Sequence, residues 1–177
     1  MASNERPSRA ALASLNALAP SEARSVLQRC CGAERWVEGM LQRRPFTSPA
    51  ALLQQAEAVW RELAAPDLLE AFSHHPEIGE SLDELRRKFA ATAELSLGEQ
   101  AGAANASEAT LSALRSQNQA YRLRFGYSFI VCATGKTAGE MLELLQERLG
   151  NAPEVELGIA AAEQAKITRL RLEKLTP

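Results

Sequence analysis

Cysteine and histidine are both scarce in this chain. The three cysteines, Cys30, Cys31 and Cys132, make an odd set with one adjacent pair, a poor disulfide framework that fits a reducing compartment. The two histidines, His74 and His75, stand side by side with no CxxC or HExxH spacing, so no metal site is expected. Charge of either sign is not in excess: 20 Lys and Arg face 22 Asp and Glu, for a net charge of −2. A chain so balanced has no field with which to grip a polyanion, which excludes nucleic acid as its main partner. No apolar run approaches the roughly 18 residues that a bilayer demands. Membrane insertion is therefore not expected. Asn4, Glu5, Arg6 and Arg9 interrupt the opening residues and leave no leader-like apolar stretch, so the chain is expected in the cytoplasm. The closing Leu175-Thr176-Pro177 is not a peroxisomal address.

What is present is apolar content with a period. The 177 residues are 46% apolar and 24% charged, enough for one domain that buries its own core. Apolar residues recur at helical spacing almost throughout, with start and stop signals between, and the fold is read as all-α, a single multi-helix domain over 11–177. Residues 1–10 are polar and expected to fray. Helices are predicted over Ala11–Leu18, from Pro20 to Cys31, over Ala33–Arg43 and from Pro49 to Ala64, with Ser48 as N-cap of the last. Pro66 opens another, and Ser81-Leu82-Asp83-Glu84 is a capping box for the next. In the segment from Ser107 to Phe125 the residues Leu111, Leu114, Asn118, Tyr121 and Phe125 share one face, and Asn118 is read as an amide bonded to neighbouring backbone. Thr137-Ala138-Gly139-Glu140 caps a helix that carries Met141, Leu142, Leu145 and Leu149. Pro153 opens a final helix rich in Ile159, Ala162, Ile167 and Leu170.

One stretch breaks the pattern. Tyr127-Ser128-Phe129-Ile130-Val131-Cys132-Ala133 is a continuous β-prone run with no second strand to pair with, and is read as a buried extended segment. Its N–H and C=O groups need partners, which a small polar ligand or neighbouring side chains could supply. Gly135-Lys136-Thr137 follows, but a phosphate loop needs a glycine five residues before Gly135, where Ile130 stands, so nucleotide hydrolysis is rejected. Lys136 is read as a solvated residue and Thr137 as a helix cap.

Two clusters could carry chemistry. His75 precedes Pro76, which biases its backbone away from helix, and an imidazole at a helix end that titrates near neutrality is the natural acid or base. His74 is read as structural. In Ser96-Leu97-Gly98-Glu99-Gln100 a capping box alone explains Ser96 and Glu99. It leaves Gln100 and the small residues Ala101 to Ala104 open to a close approach by ligand or chain.

The same residues carry a resemblance. An early Leu15-Asn16-Ala17-Leu18, then Arg44-Pro45-Phe46, His75-Pro76, the run Ser96 to Gly102, Asn118-x-x-Tyr121-x-x-Arg124-Phe125-Gly126, Phe129 to Ala133 and Leu170-Arg171-Leu172 follow one another in order. In that order they resemble 2-oxo-4-hydroxy-4-carboxy-5-ureidoimidazoline (OHCU) decarboxylases, enzymes of urate breakdown. The resemblance implies an all-α fold, commonly a homodimer, that needs no cofactor and turns OHCU into (S)-allantoin with loss of carbon dioxide. It makes His75 catalytic and matches Pro76, Ser96, Leu97, Gly98, Gln100 and the run Phe129, Ile130, Val131, Cys132, Ala133 to substrate-contacting positions. It also asks for an arginine on the last helix, for which Arg171 is chosen over Arg169. Arg44-Pro45-Phe46 is expected to order a helix-to-helix turn with Phe46 in the core.

Chemistry agrees with these residue types. Without a pyridoxal or thiamine motif the substrate must be its own electron sink, and the protein must orient the carboxylate, stabilise an oxyanion and deliver one proton to one face. His75 would deliver it, with Glu99 orienting the imidazole or sharing in the transfer. Cys132 has no base beside it in sequence and is read as a packing residue. The competing reading is a non-catalytic helical interaction module on the same scaffold.

Overall fold

A computed structural model describes residues 7–75 and 107–176, and among these the secondary structure is entirely helical. The helices are α1 (Arg9–Ala17), α2 (Pro20–Cys30), α3 (Glu34–Gln42), α4 (Pro49–Arg61), α5 (Ala65–Ser73), α6 (Glu108–Phe125), α7 (Ala138–Leu149) and α8 (Pro153–Glu173). The capping box predicted at Ser81 lies outside the described residues.

Side chains written in the sequence set most of the ends. The Ser8 hydroxyl accepts from Ala11 N at 3.0 Å, so α1 begins at Arg9 and residues 9 and 10 are helical rather than frayed. Glu22 and Asp67 reach back to the N–H groups of Ala19 and Ala64, at 3.1 and 2.9 Å, as the acidic half of a capping box. Because Ala64 is the extended N-cap of α5, α4 closes at Arg61 instead of running on to Ala64. Gly126 ends α6 at φ 81°, a left-handed position that other residues adopt only at a cost. At α7, Thr137 N and Oγ1 meet Glu140 Oε2 at 2.7 and 2.8 Å while Glu140 N donates to Thr137 Oγ1. These bonds hold the Glu140 carboxyl below its usual range. Thr137→Ala is expected to lower stability by about 1 kcal/mol, read as a shift of the urea midpoint at unchanged slope.

The contacts divide the chain into two compact units, residues 1–74 with 161–177 and residues 75–160, each described by itself. In the first, α3 packs on α2, α4 and α5. Trp36 is wholly buried and its indole N–H donates to Ala56 O of α4 at 3.1 Å, so the largest core side chain also meets its polar need. The Arg44-Pro45-Phe46 turn is tied down by Asn16. That amide donates to Phe46 O and accepts from Phe46 N, both at 2.9 Å, with Phe46 buried as expected. Arg44 donates to Asn16 O and Leu18 O, closing the end of α1.

His74 stands at the end of α5 with its ring against Gly32, where an added Cβ would come within 2.3 Å of His74 Cγ. Its role is packing, as read from the sequence. Gly32→Ala is expected to displace that ring and lower the melting temperature by several degrees, whereas His74→Ala combined with it should recover most of the loss. Independent, additive losses in the two variants would contradict the contact.

In the second unit α6 lies along α7. The stripe read from the sequence is the buried face: Leu111, Leu114 and Tyr121 are buried with Met141, Leu145, Phe129 and Val131, and Phe125 packs on the cluster. Asn118 donates to Leu114 O at 2.8 Å, bonding its own helix backbone. The Tyr121 ring meets Phe129 edge-on, with centroids 5.2 Å apart, which docks the extended run on α6.

The final helix differs from its sequence reading. Its buried face is Glu156, Ala160, Gln164, Thr168 and Leu172, a strict four-residue stripe with three polar members. Ile159, Ile167 and Leu170 are half-buried and Ala162 is exposed. The polar members are buried because they have partners: Gln164 Nε2 donates to Thr168 Oγ1 at 3.1 Å, and Glu156 is held by three residues.

Candidate active site

Of the run assigned to substrate contact, Phe129, Ile130 and Val131 are buried and Cys132 and Ala133 half-buried. Three of its backbone carbonyls have partners, two of them cationic side chains. Arg148 Nη1 donates to Ile130 O at 2.8 Å and Lys136 Nζ to Cys132 O at 2.9 Å, while Lys136 N donates to Ala133 O at 3.1 Å. Lys136, read from the sequence as solvated, is half-buried and folded back on the run. Among the described residues no acceptor meets the N–H groups of Ile130, Val131 and Ala133. The run therefore offers donors.

Arg148 is the residue that sequence reading missed. It is 7% exposed on the inner face of α7, and its guanidinium lies over the Phe129 ring, 4.5 Å from the centroid. Nε and Nη2 meet Glu156 Oε1 at 2.8 and 2.6 Å. Glu156, fully buried, also accepts from the Tyr121 hydroxyl and from Asn151 Nδ2, the latter at 2.7 Å. Burial, and then the bond to Glu156, push the Tyr121 phenol above its ordinary value, so it stays protonated and donates. The signal was there in the spacing: Met141, Leu145 and Arg148 sit at i, i+4 and i+7 on one face, and a cation on an apolar stripe needs a buried partner.

The other assigned residues are placed as follows. His75 is half-buried, two residues past the end of α5. Pro76, Ser96, Leu97, Gly98, Glu99 and Gln100 lie outside the described residues. Arg171 is half-buried on α8 and donates to the carbonyls of Cys30 and Arg29, at 3.2 and 3.4 Å. Arg169, by contrast, is paired with Glu57 and Glu173 at 3.1 and 3.0 Å, so its charge is already balanced. Of the two, Arg171 keeps a cation without a carboxylate among the described residues.

Burial pushes the Cys30 and Cys31 thiols up to about 11, which keeps them protonated and inert at neutral pH. Alkylation of the native protein at pH 8 is expected to label the half-exposed Cys132 first, checked by peptide mass spectrometry. Labelling of Cys30 or Cys31 ahead of it would contradict that burial. Among the described residues no group of three or more His, Cys, Asp or Glu side chains could hold a metal ion, and no helix is long and apolar enough to cross a membrane.

The model of one family, described as OHCU decarboxylase, matches residues 16–173. The chain belongs to the OHCU decarboxylase family. It is 41% identical over 148 residues to the uric acid degradation bifunctional protein TTL of Arabidopsis thaliana, covering 82% of this chain and 45% of that protein. An OHCU decarboxylase of Amia calva is 43% identical over 58 residues, 33% of each chain, so the chain spans less than half the length of these two relatives. A crystal structure of OHCU decarboxylase in the presence of (S)-allantoin superposes with a TM-score of 0.68 at 39% identity, covering 84% of this chain and 94% of that one. A crystal structure of (S)-allantoin synthase shares the fold, with a TM-score of 0.67 at 20% identity over 91% of this chain and 52% of its own. The all-α architecture read from the sequence is that of the family.

Proposed function

We propose that this chain decarboxylates OHCU to (S)-allantoin without a cofactor, acting as a cytoplasmic homodimer. The observation that carries the reading is the family match, which runs over residues 16–173 and takes in every residue assigned to the chemistry. The donor-rich run at 129–133 supports it.

The chemistry needs few groups. The bond between C4 and the carboxylate breaks, carbon dioxide leaves, and its electron pair forms a C4=C5 bond as the imine electrons move onto the ring nitrogen, which takes a proton. The C4 hydroxyl then gives up its proton and becomes the product carbonyl, while C5 gains one. That last proton creates the stereocentre. His75 delivers it to a single face of C5, with Glu99 orienting the imidazole, and a positioned acid of this kind contributes roughly 10²–10⁴-fold. Ser96 and Gln100 bond the ureido and ring amides, and Pro76, Leu97 and Gly98 are the other substrate-contacting positions that the family resemblance assigns. The N–H groups of the run Phe129 to Ala133 meet ring oxygens, and Arg171 pairs with an anionic oxygen in fork geometry.

The test is the consumption of OHCU generated in place from urate by urate oxidase and hydroxyisourate hydrolase. Its decay is expected to quicken in proportion to added protein. A decay at the spontaneous rate would overturn the enzyme reading in favour of a helical interaction module, and a monomeric mass by light scattering would overturn the dimer.

A further inference from the structure

We propose that Arg148 and Lys136 are positioning residues for the substrate: by holding the carbonyls of Ile130 and Cys132, they aim the N–H groups of Val131 and Ala133 at carbonyl or carboxylate oxygens of the ligand. The inference deepens the reading of 129–133 as a binding run and rests on it.

Peptide geometry sets the direction of these donors. In a trans peptide the C=O of one residue and the N–H of the next point in opposite directions, and the 130–131 and 132–133 bonds are trans. Arg148 on Ile130 O, at 2.8 Å, thus leaves Val131 N–H facing the other way, and Lys136 on Cys132 O, at 2.9 Å, does the same for Ala133 N–H. Neither N–H has an acceptor among the described residues. A cation on the carbonyl also polarises the amide, strengthening its donor by about 10–30% per bond.

Arg148 acts through this bond rather than as a bare charge, because Glu156 neutralises it within 2.6 Å. It holds the run twice, through the Ile130 carbonyl and by lying over the Phe129 ring. A lysine in its place could satisfy Glu156 or Ile130 but has no planar fork to hold both. Two donors set by two fixed cations select a ligand with acceptor oxygens along one edge.

The experiment uses Arg148→Lys, Lys136→Ala and, as a stability control, Leu52→Ala in the core of the other unit. With OHCU as substrate, Arg148→Lys is expected to raise KM about ten-fold, the worth of one lost hydrogen bond, with kcat within about two-fold. Lys136→Ala, on a more exposed side chain, should raise it about three-fold. Leu52→Ala should lower the melting temperature without moving KM. In the resting protein the Val131 amide proton should shift upfield in Arg148→Lys, and that of Ala133 in Lys136→Ala, by ¹H–¹⁵N correlation. Unmoved amide shifts, an unchanged KM in Lys136→Ala, or an equal rise in Leu52→Ala would each overturn the proposal. Should Arg148→Lys not fold, Lys136→Ala decides alone. Loss of all decarboxylation in the wild type would sink the functional reading only, since the amide shifts need no turnover.

Discussion

His75→Ala is expected to lower kcat/KM for OHCU by about 10²–10⁴-fold while the helical circular dichroism and melting temperature stay those of the wild type. Both halves of that result follow from position. The side chain stands two residues beyond α5, outside any described helix, and is only half-buried, so its truncation removes little packed surface. His74→Ala provides the contrast: that ring packs on Gly32, so its loss should be felt in stability and not in the proton transfer. The product made slowly by His75→Ala should also lose optical purity, because water can protonate C5 from either face. A variant that keeps wild-type rate and stereochemistry would remove His75 from the mechanism.

The largest expected effect on stability is at Glu156. This carboxylate is fully buried and receives Arg148, Asn151 and the Tyr121 hydroxyl, so Glu156→Ala leaves a guanidinium without its counter-charge inside the second unit. Breaking a buried pair from one side costs about 3–5 kcal/mol. Tyr121→Phe removes only one bond to the same carboxylate and should cost about 1.5–3 kcal/mol. The double variant Arg148→Met with Glu156→Leu should recover most of the loss, since two apolar side chains bury no charge. Equilibrium unfolding in urea distinguishes these outcomes, and near-equal small losses in all three would show that the network contributes little. The double variant should fold and still bind OHCU weakly, because the Ile130 carbonyl has lost its clamp.

Much of this fold can be read from residue spacing, for a physical reason. Helix signals are local: Ser8, Ser48, Ser107 and Thr137 cap helices as their side chains predict, and Leu111, Leu114 and Tyr121 face inward because a period of 3.6 leaves them no other common side. The run Phe129 to Ala133 is legible as a largely buried segment outside any strand because no other stretch reads as a strand to pair with it.

The polar interior was not legible in the same way. Glu156, Gln164 and Thr168 look like a solvated stripe until their partners are known, and those of Glu156 come from α6, α7 and the turn after α7. Lys136 looked solvated because four residues separate it from the carbonyl it caps, and only a turn at Gly135, with φ 75°, folds it back. For Glu156 the deciding contacts come from other elements, and for Lys136 the contact depends on the backbone turn rather than on spacing. The site residues themselves were named from motif order rather than from periodicity, which describes cores and is silent about chemistry.

The most direct test of the account is the handedness of the product. OHCU prepared in place should give, with catalytic amounts of this protein, allantoin whose circular dichroism is that of the pure S enantiomer and grows at a rate proportional to protein. Racemic allantoin, with no dichroic signal and no gain in rate, would contradict it.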